Sequence, residues 1–125
     1  MIIKKAEGTY NLQIIKVDEA DANKKLSGAE FEVLLADGST QTVTTNDQGI
    51  IEINGIVITE EGTDTITIKE ITAPVDYEKL IDTLTLEVTK TIVDGNYMAT
   101  AAILTNENTS GETVSAENGI ITVTV

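Results

Sequence analysis

Two charged residues stand where the alternation of their own strands calls for apolar ones. In the run from Tyr10 to Val17, Leu12, Ile14 and Lys16 fall on one face by the period of two. In "TITIKE", Ile66, Ile68 and Glu70 do the same. A charge enclosed without a partner costs several kcal/mol or shifts until it is neutral. If both residues turn inward they therefore become an amine and a carboxylic acid, a nucleophile and a proton donor. The plainer reading is that both close their strands and reach into water, the lysine along its aliphatic stem. Periodicity alone favours the plainer reading.

The elements that would carry them are strands. After "YNLQIIKV" comes an acid-rich polar stretch, "DEADANKK", and then "LSGAEFEVLLADG", in which Phe31, Val33 and Leu35 share a face and Asp37-Gly38 signals a hairpin. "TQTVTT", a turn at Asn46 to Gly49, "IIEI" and a further Asn-Gly turn at positions 54 and 55 lead into "DTITIKEI". Beyond Pro74 the chain reads "DTLTLEVTK", with Leu84, Leu86 and Val88 aligned, then an Asp94-Gly95 turn, "NYMATAAILT", a polar loop from Asn106 to Asn118, and "GIITVTV". "VDYEKLIDTL" allows one helical turn at most. Eight or so short strands between turn signals predict an all-β, antiparallel sandwich. Residues 1–9 read as a leading tail or linker and residues 10–125 as one domain, with no internal repeat.

Composition narrows the chemistry. The 125 residues are 41% hydrophobic, with a formal charge of −13 and a pI near 4.1. So acidic a surface repels phosphate backbones and anionic lipid, which argues against nucleic-acid binding and against membrane insertion of this segment. No run is apolar and long enough to span a bilayer, and "MIIKKAEGT" is too short and polar for a signal peptide, so the chain is expected to be cytosolic or a segment of a longer exported protein. Cysteine and histidine are absent. Disulfides, thiolate nucleophiles, the usual zinc sites and the commonest general base go with them, and neither a cofactor nor a metal is expected.

"IIKVD", "LSGAEFEV" and "KEITAPVDY", in that order, resemble the Cna B-type, prealbumin-like domains of Gram-positive surface proteins and pilins. Lys16-Val17-Asp18, Leu26, Gly28, Ala29, Phe31, Glu70, Ala73, Pro74 and Tyr77 match the family pattern, over about Tyr10 to Val125. Ile71 stands where threonine is usual, and Asp76 replaces a glycine. The resemblance implies an immunoglobulin-like or prealbumin-like sandwich of about seven to nine strands. It also implies a self-made cross-link, in which Lys16 attacks an asparagine or aspartate side chain on the last strand while Glu70 catalyses. A carboxamide is a poor electrophile, so a protonated acid must polarise its oxygen and shuttle protons. Amine and acid would titrate as a coupled pair. If Ile121, Val123 and Val125 face inward, the next inward position is 127. The acceptor is then expected past the last residue given, or Val125 takes its place and no bond forms. Asn106 and Asn118 are weaker substitutes, since asparagine is ordinary in turns.

Other constellations are thinner. "DEAD" at 18–21 lacks the glycine and spaced ligands of a calcium loop. The serines have no histidine to activate them. Carboxylate pairs for glycoside hydrolysis would have little cleft, and Asn108-Thr109-Ser110 fits a glycosylation sequon that arises often by chance. Two functions follow. The first is a non-enzymatic stalk or pilin module of a cell-wall-anchored, extracellular adhesin. It would be monomeric, with the neighbouring domains of the same protein as its partners. The second is a module binding host extracellular matrix or carbohydrate through its loops, the stretch 106–118 foremost.

Overall fold

The computed structural model describes residues 7–18, 20–75, 77, 83–105, 113–117 and 120–124. Among them are eleven strands and no helix. In chain order these are β1 (Thr9–Ile15), β2 (Val17–Asp18), β3 (Asp21–Lys25), β4 (Glu30–Leu34), β5 (Thr40–Thr44) and β6 (Ile50–Val57), followed by β7 (Gly62–Thr72), β8 (Leu84–Val93), β9 (Asn96–Leu104), β10 (Thr113–Glu117) and β11 (Ile120–Thr124). One sheet has the order β10-β11-β1-β6 and the other β5-β4-β7-β8-β9, with β2 and β3 forming a small separate ribbon. The all-β sandwich expected from the turn spacing is present.

Three details differ from expectation. The polar stretches 18–25 and 106–118 each contribute strand, as β2–β3 and as β10, which lifts the count above nine. The remainder of the second stretch, with Asn106 and Asn118, lies outside the described residues. Asn54-Gly55 is not a hairpin turn: β6 runs through it, Gly55 takes φ 72°, and its N–H donates to the Asn11 side chain at 2.9 Å. The β1–β6 register slips there, from Tyr10 opposite Ile56 to Leu12 opposite Ile53, so the pair is a bulge. Finally, β1 pairs with β11 in parallel, from Asn11–Ile120 to Ile15–Thr124, within otherwise antiparallel sheets. Alternation cannot reveal this, because the period of two is the same in either direction. Asp94-Gly95 behaves as read: both residues have positive φ, 52° and 83°, as a two-residue type I′ hairpin demands.

The core is aliphatic with one phenylalanine. Leu12 and Ile14 of β1, Phe31 and Val33 of β4, Ile66 and Ile68 of β7, and Leu84, Leu86 and Val88 of β8 are all fully buried. β1 and β7 face one another across this core and run the same way, because Tyr10 meets Asp64 at one end and Lys16 meets Glu70 at the other. Each strand therefore presents apolar residues in the middle of its inner face and polar ones at its ends. At the Tyr10 end the phenol donates to Asp64 Oδ2 at 3.1 Å, and Lys90 Nζ, from β8, lies 2.8 Å from Asp64 Oδ1. Burial, the Asp64 carboxylate, its hydrogen bond and then the Asp37 charge push the Tyr10 phenol well above its ordinary value of 10.0.

Gly49 holds the other end. Its carbonyl accepts from Lys16 N–H at 2.8 Å, and Lys16 C=O accepts from Leu26 N–H at 2.9 Å. With φ 74°, a Cβ on Gly49 would lie 2.9 Å from both the Leu26 nitrogen and the Lys16 oxygen, which are backbone atoms that cannot yield. Gly49→Ala should cost about 1–3 kcal/mol in urea unfolding. Tyr10 supplies a pH test. Its raised folded-state pKa means its contribution is complete below pH 10.0 and is lost as pH climbs through the folded value. The stability advantage of wild type over Tyr10→Phe, followed by chemical unfolding, should therefore shrink as pH rises above 10. An unchanged difference would contradict that assignment.

Candidate functional site

Lys16 follows β1 and continues its inward face after Leu12 and Ile14. Its side chain is 11% exposed. Glu70 continues the inward face of β7 after Ile66 and Ile68, and its side chain is wholly buried. The two sequence-flagged residues are thus brought together inside the sandwich: Lys16 Nζ lies 3.7 Å from Glu70 Oε2. That separation is an ion-pair distance, longer than a direct hydrogen bond. The solvent-seeking alternative does not hold for either side chain.

Local structure explains why the acid stays inward. On β4, Phe31 sits opposite Glu70, while the next pair is Glu30 with Thr72, so Ile71 is the extra residue of a bulge. Glu70 thus keeps the inward alternation of Ile66 and Ile68, and the bulge after it leaves both Ile71 and Thr72 exposed. Ile71 is also the position where the sequence departs from the usual threonine.

The "LSGAEF" segment is pinned by one buried threonine. Thr45 Oγ1 donates to Leu26 C=O at 2.9 Å and accepts from Ala29 N–H at 3.0 Å, while the Thr45 backbone bonds Gly28 and Ala29. Because Leu26 N–H in turn donates to Lys16 C=O, the chain is tied back to the lysine. A second tie joins the outer motif residues. The Tyr77 hydroxyl donates to Asp18 Oδ2 at 2.8 Å, linking "KVD" to "APVDY". That bond and the Ala20 N–H hold the Asp18 carboxyl below its ordinary range. Lys24 Nζ stands 5.9 Å over the Tyr77 ring. The described carboxylates of "DEAD" serve local turns, Asp18 accepting from Ala20 N–H and Asp21 from Asn23 N–H. Asp76 and Glu19 lie outside the described residues.

The third member of the cross-link is expected, from the sequence, on the last strand. Ile121 is fully buried, and among the described residues the parallel ladder runs as far as Ile15–Thr124. Val125, which in one of the two sequence readings takes the acceptor's place so that no bond forms, lies outside the described residues.

Sequence reasoning missed the second buried ion pair. Lys90 is 4% exposed and Asp64 is half-buried. Both were findable: Leu84, Leu86, Val88 and Lys90 form one alternating series, and so do Asp64, Ile66, Ile68 and Glu70. Each series was read only to its last apolar member or to one of its charged ends.

Comparison with known proteins agrees with this architecture. Over 96% of its length the chain superimposes on the C-terminal fragment of the pilus adhesin SpaC from Lactobacillus rhamnosus GG, with TM-score 0.62 and 20% identity, covering 44% of that fragment. Over 94% it superimposes on the pilus 2b backbone protein of group B streptococcus, with TM-score 0.54, 24% identity and 40% of that chain covered. The chain thus spans less than half of either structure, and at these identities the likeness is one of fold. No curated protein sequence matches significantly. The family model of the SpaA prealbumin-like fold domain matches residues 10–101, which bears out the resemblance carried by the lysine, alanine-phenylalanine and glutamate-proline motifs; the chain belongs to the SpaA prealbumin-like domain family.

Proposed function

We propose that this domain is a structural module of a pilus or surface adhesin, exported and held at the cell surface, and that it is built for an internal Lys16 cross-link. The observation that carries the reading is the enclosed Lys16–Glu70 pair, 3.7 Å apart at the end of the strand that lies beside β11. Two opposite charges in an apolar core are a poor stabilising device, since the desolvation of both offsets much of their attraction. As reactants they make sense. In its neutral form the Lys16 amine attacks the side-chain carbonyl carbon of an asparagine, Glu70 hydrogen-bonds the carbonyl oxygen, and the proton lost by nitrogen is passed to the leaving group. A C–N bond forms, the C–NH2 bond breaks and ammonia departs; with an aspartic acid acceptor, water departs instead.

The acceptor is sought beside β1, on the strand that pairs with it in parallel: the described ladder carries β11 to the level of Ile15, next to Lys16 in the chain. Joined there, the first and last strands of one sheet would be clamped covalently, and a pull on the two ends of the domain could not peel them apart. In a chain without cysteine the bond would also restrict the unfolded state as a disulfide does. The acidic exterior suits a solvated spacer.

Intact mass of the complete protein tests the mechanism. It should fall short of the sequence mass by one ammonia or one water, with a branched peptide containing Lys16 on digestion. Lys16→Arg and Glu70→Gln, each close in shape to the native residue, should restore the full mass while keeping a cooperative unfolding transition. A full mass in the wild-type protein, or a deficit that survives Glu70→Gln, would end the proposal.

A further inference from the structure

The two sheets close on one side, where β9 lies against β10, and stay open on the other, where β5 and β6 are the outermost strands. A cavity of about 450 Å³ occupies the open side. Its floor is the second buried ion pair. Lys90 and Asp64 both line it, with Tyr10 behind them bonded to Asp64. Tyr10 and Lys90 are almost completely buried, so this floor is a rigid polar surface whose charges cancel.

The walls are of two kinds. Leu35, Ile53, Ile56 and Val57 give an apolar side. Asp37 and Glu60 give two exposed carboxylates that no lysine neutralises among the described residues. With Lys90 spent on Asp64, the cavity carries an excess of two negative charges within a chain of net charge −13. Such a space selects a guest with an apolar stem and a cationic tip, because the stem gains by leaving water and the tip by meeting the acids. An anionic guest is repelled, and a neutral one leaves the carboxylates without a counter-charge.

We propose that the open side of the sandwich is a docking site for a lysine side chain of an extended segment of a partner protein, its methylenes against Ile53, Ile56 and Val57 and its ammonium between Asp37 and Glu60. The partner backbone lies along the gap between β5 and β6, whose outward edges are unpaired among the described residues and can accept a strand. This site is distinct from Lys16 and Glu70. Tyr10 to Lys16 and Asp64 to Glu70 each span six residues, so the two ends of the core are about 20 Å apart.

The test is an amide NMR titration of the complete domain at about 0.15 M salt, where nonspecific attraction to an acidic surface is screened. The probe is a capped five-residue peptide of threonine and valine with one central lysine; the control carries norleucine in its place. Saturable shifts confined to β5, β6 and the Lys90 region are expected for the lysine peptide, with at least tenfold weaker binding for the control. Asp37→Asn with Glu60→Gln, both at exposed positions, should weaken lysine-peptide binding at least tenfold while keeping a cooperative unfolding transition. The asparagine retains an oxygen that can accept from Ser39 N–H and Oγ–H as Asp37 does. Equal binding of both peptides, shifts scattered over the surface, or no shifts at all would each overturn the proposal. None of these outcomes depends on the Lys16 cross-link, which intact mass reads separately.

Discussion

The structure depends on two strands that face each other across the core in the same direction. Sheets in a sandwich lie about 10 Å apart, a gap that aliphatic side chains fill from both sides. β1 and β7 fill it with Leu12, Ile14, Ile66 and Ile68, and this apolar stretch sets the register between the sheets. Once that register is set, the end residues have no choice of partner. Tyr10 must meet Asp64, and Lys16 must meet Glu70. A shift of one residue in either strand would turn its apolar set outward and separate both polar contacts together.

The two polar ends serve different ends of the same physics. At the Tyr10 end, Asp64 is satisfied twice, by the phenol and by Lys90 at 2.8 Å, and the cluster is a settled one. At the Lys16 end the nitrogen and Oε2 are 3.7 Å apart, close enough to attract and too far to share a hydrogen directly. A tight, fully bonded pair is suited to rigidity. The longer Lys16–Glu70 contact is the one that the proposed cross-link would draw on. The backbone around Lys16 is correspondingly firm: Gly49, Leu26 and Thr45 form a chain of contacts that holds the residue while leaving its amine uncommitted to them.

Membership of the SpaA prealbumin-like family and the shared fold with pilus proteins give this arrangement a setting. The motif residues divide between two tasks. Lys16 and Glu70 point inward to each other, whereas Asp18 and Tyr77 meet on the surface and tie the first motif to the last. The short ribbon β2–β3 follows directly from Lys16, so the acid-rich stretch after the lysine works as a strap rather than a free loop.

Much of this was legible in the amino-acid order. Period-two alternation in β1, β4, β7 and β8 is a local property, imposed by strand geometry, and it identified the inner face, the core residues and the misplaced charges Lys16 and Glu70. The positive-φ hairpin at Asp94-Gly95 is equally local. Tertiary structure decided what alternation leaves open. The parallel pairing of β1 with β11 joins residues more than a hundred positions apart, and strand direction leaves no mark on spacing. Asn54-Gly55 has the residues of a turn, yet β1 alongside it holds the chain extended and makes it a bulge. Burial of Lys90 needed the neighbouring strand β7 to supply Asp64 and the facing sheet to supply Tyr10, since a charge at the end of an apolar series has the same local sequence whether water or a partner awaits it.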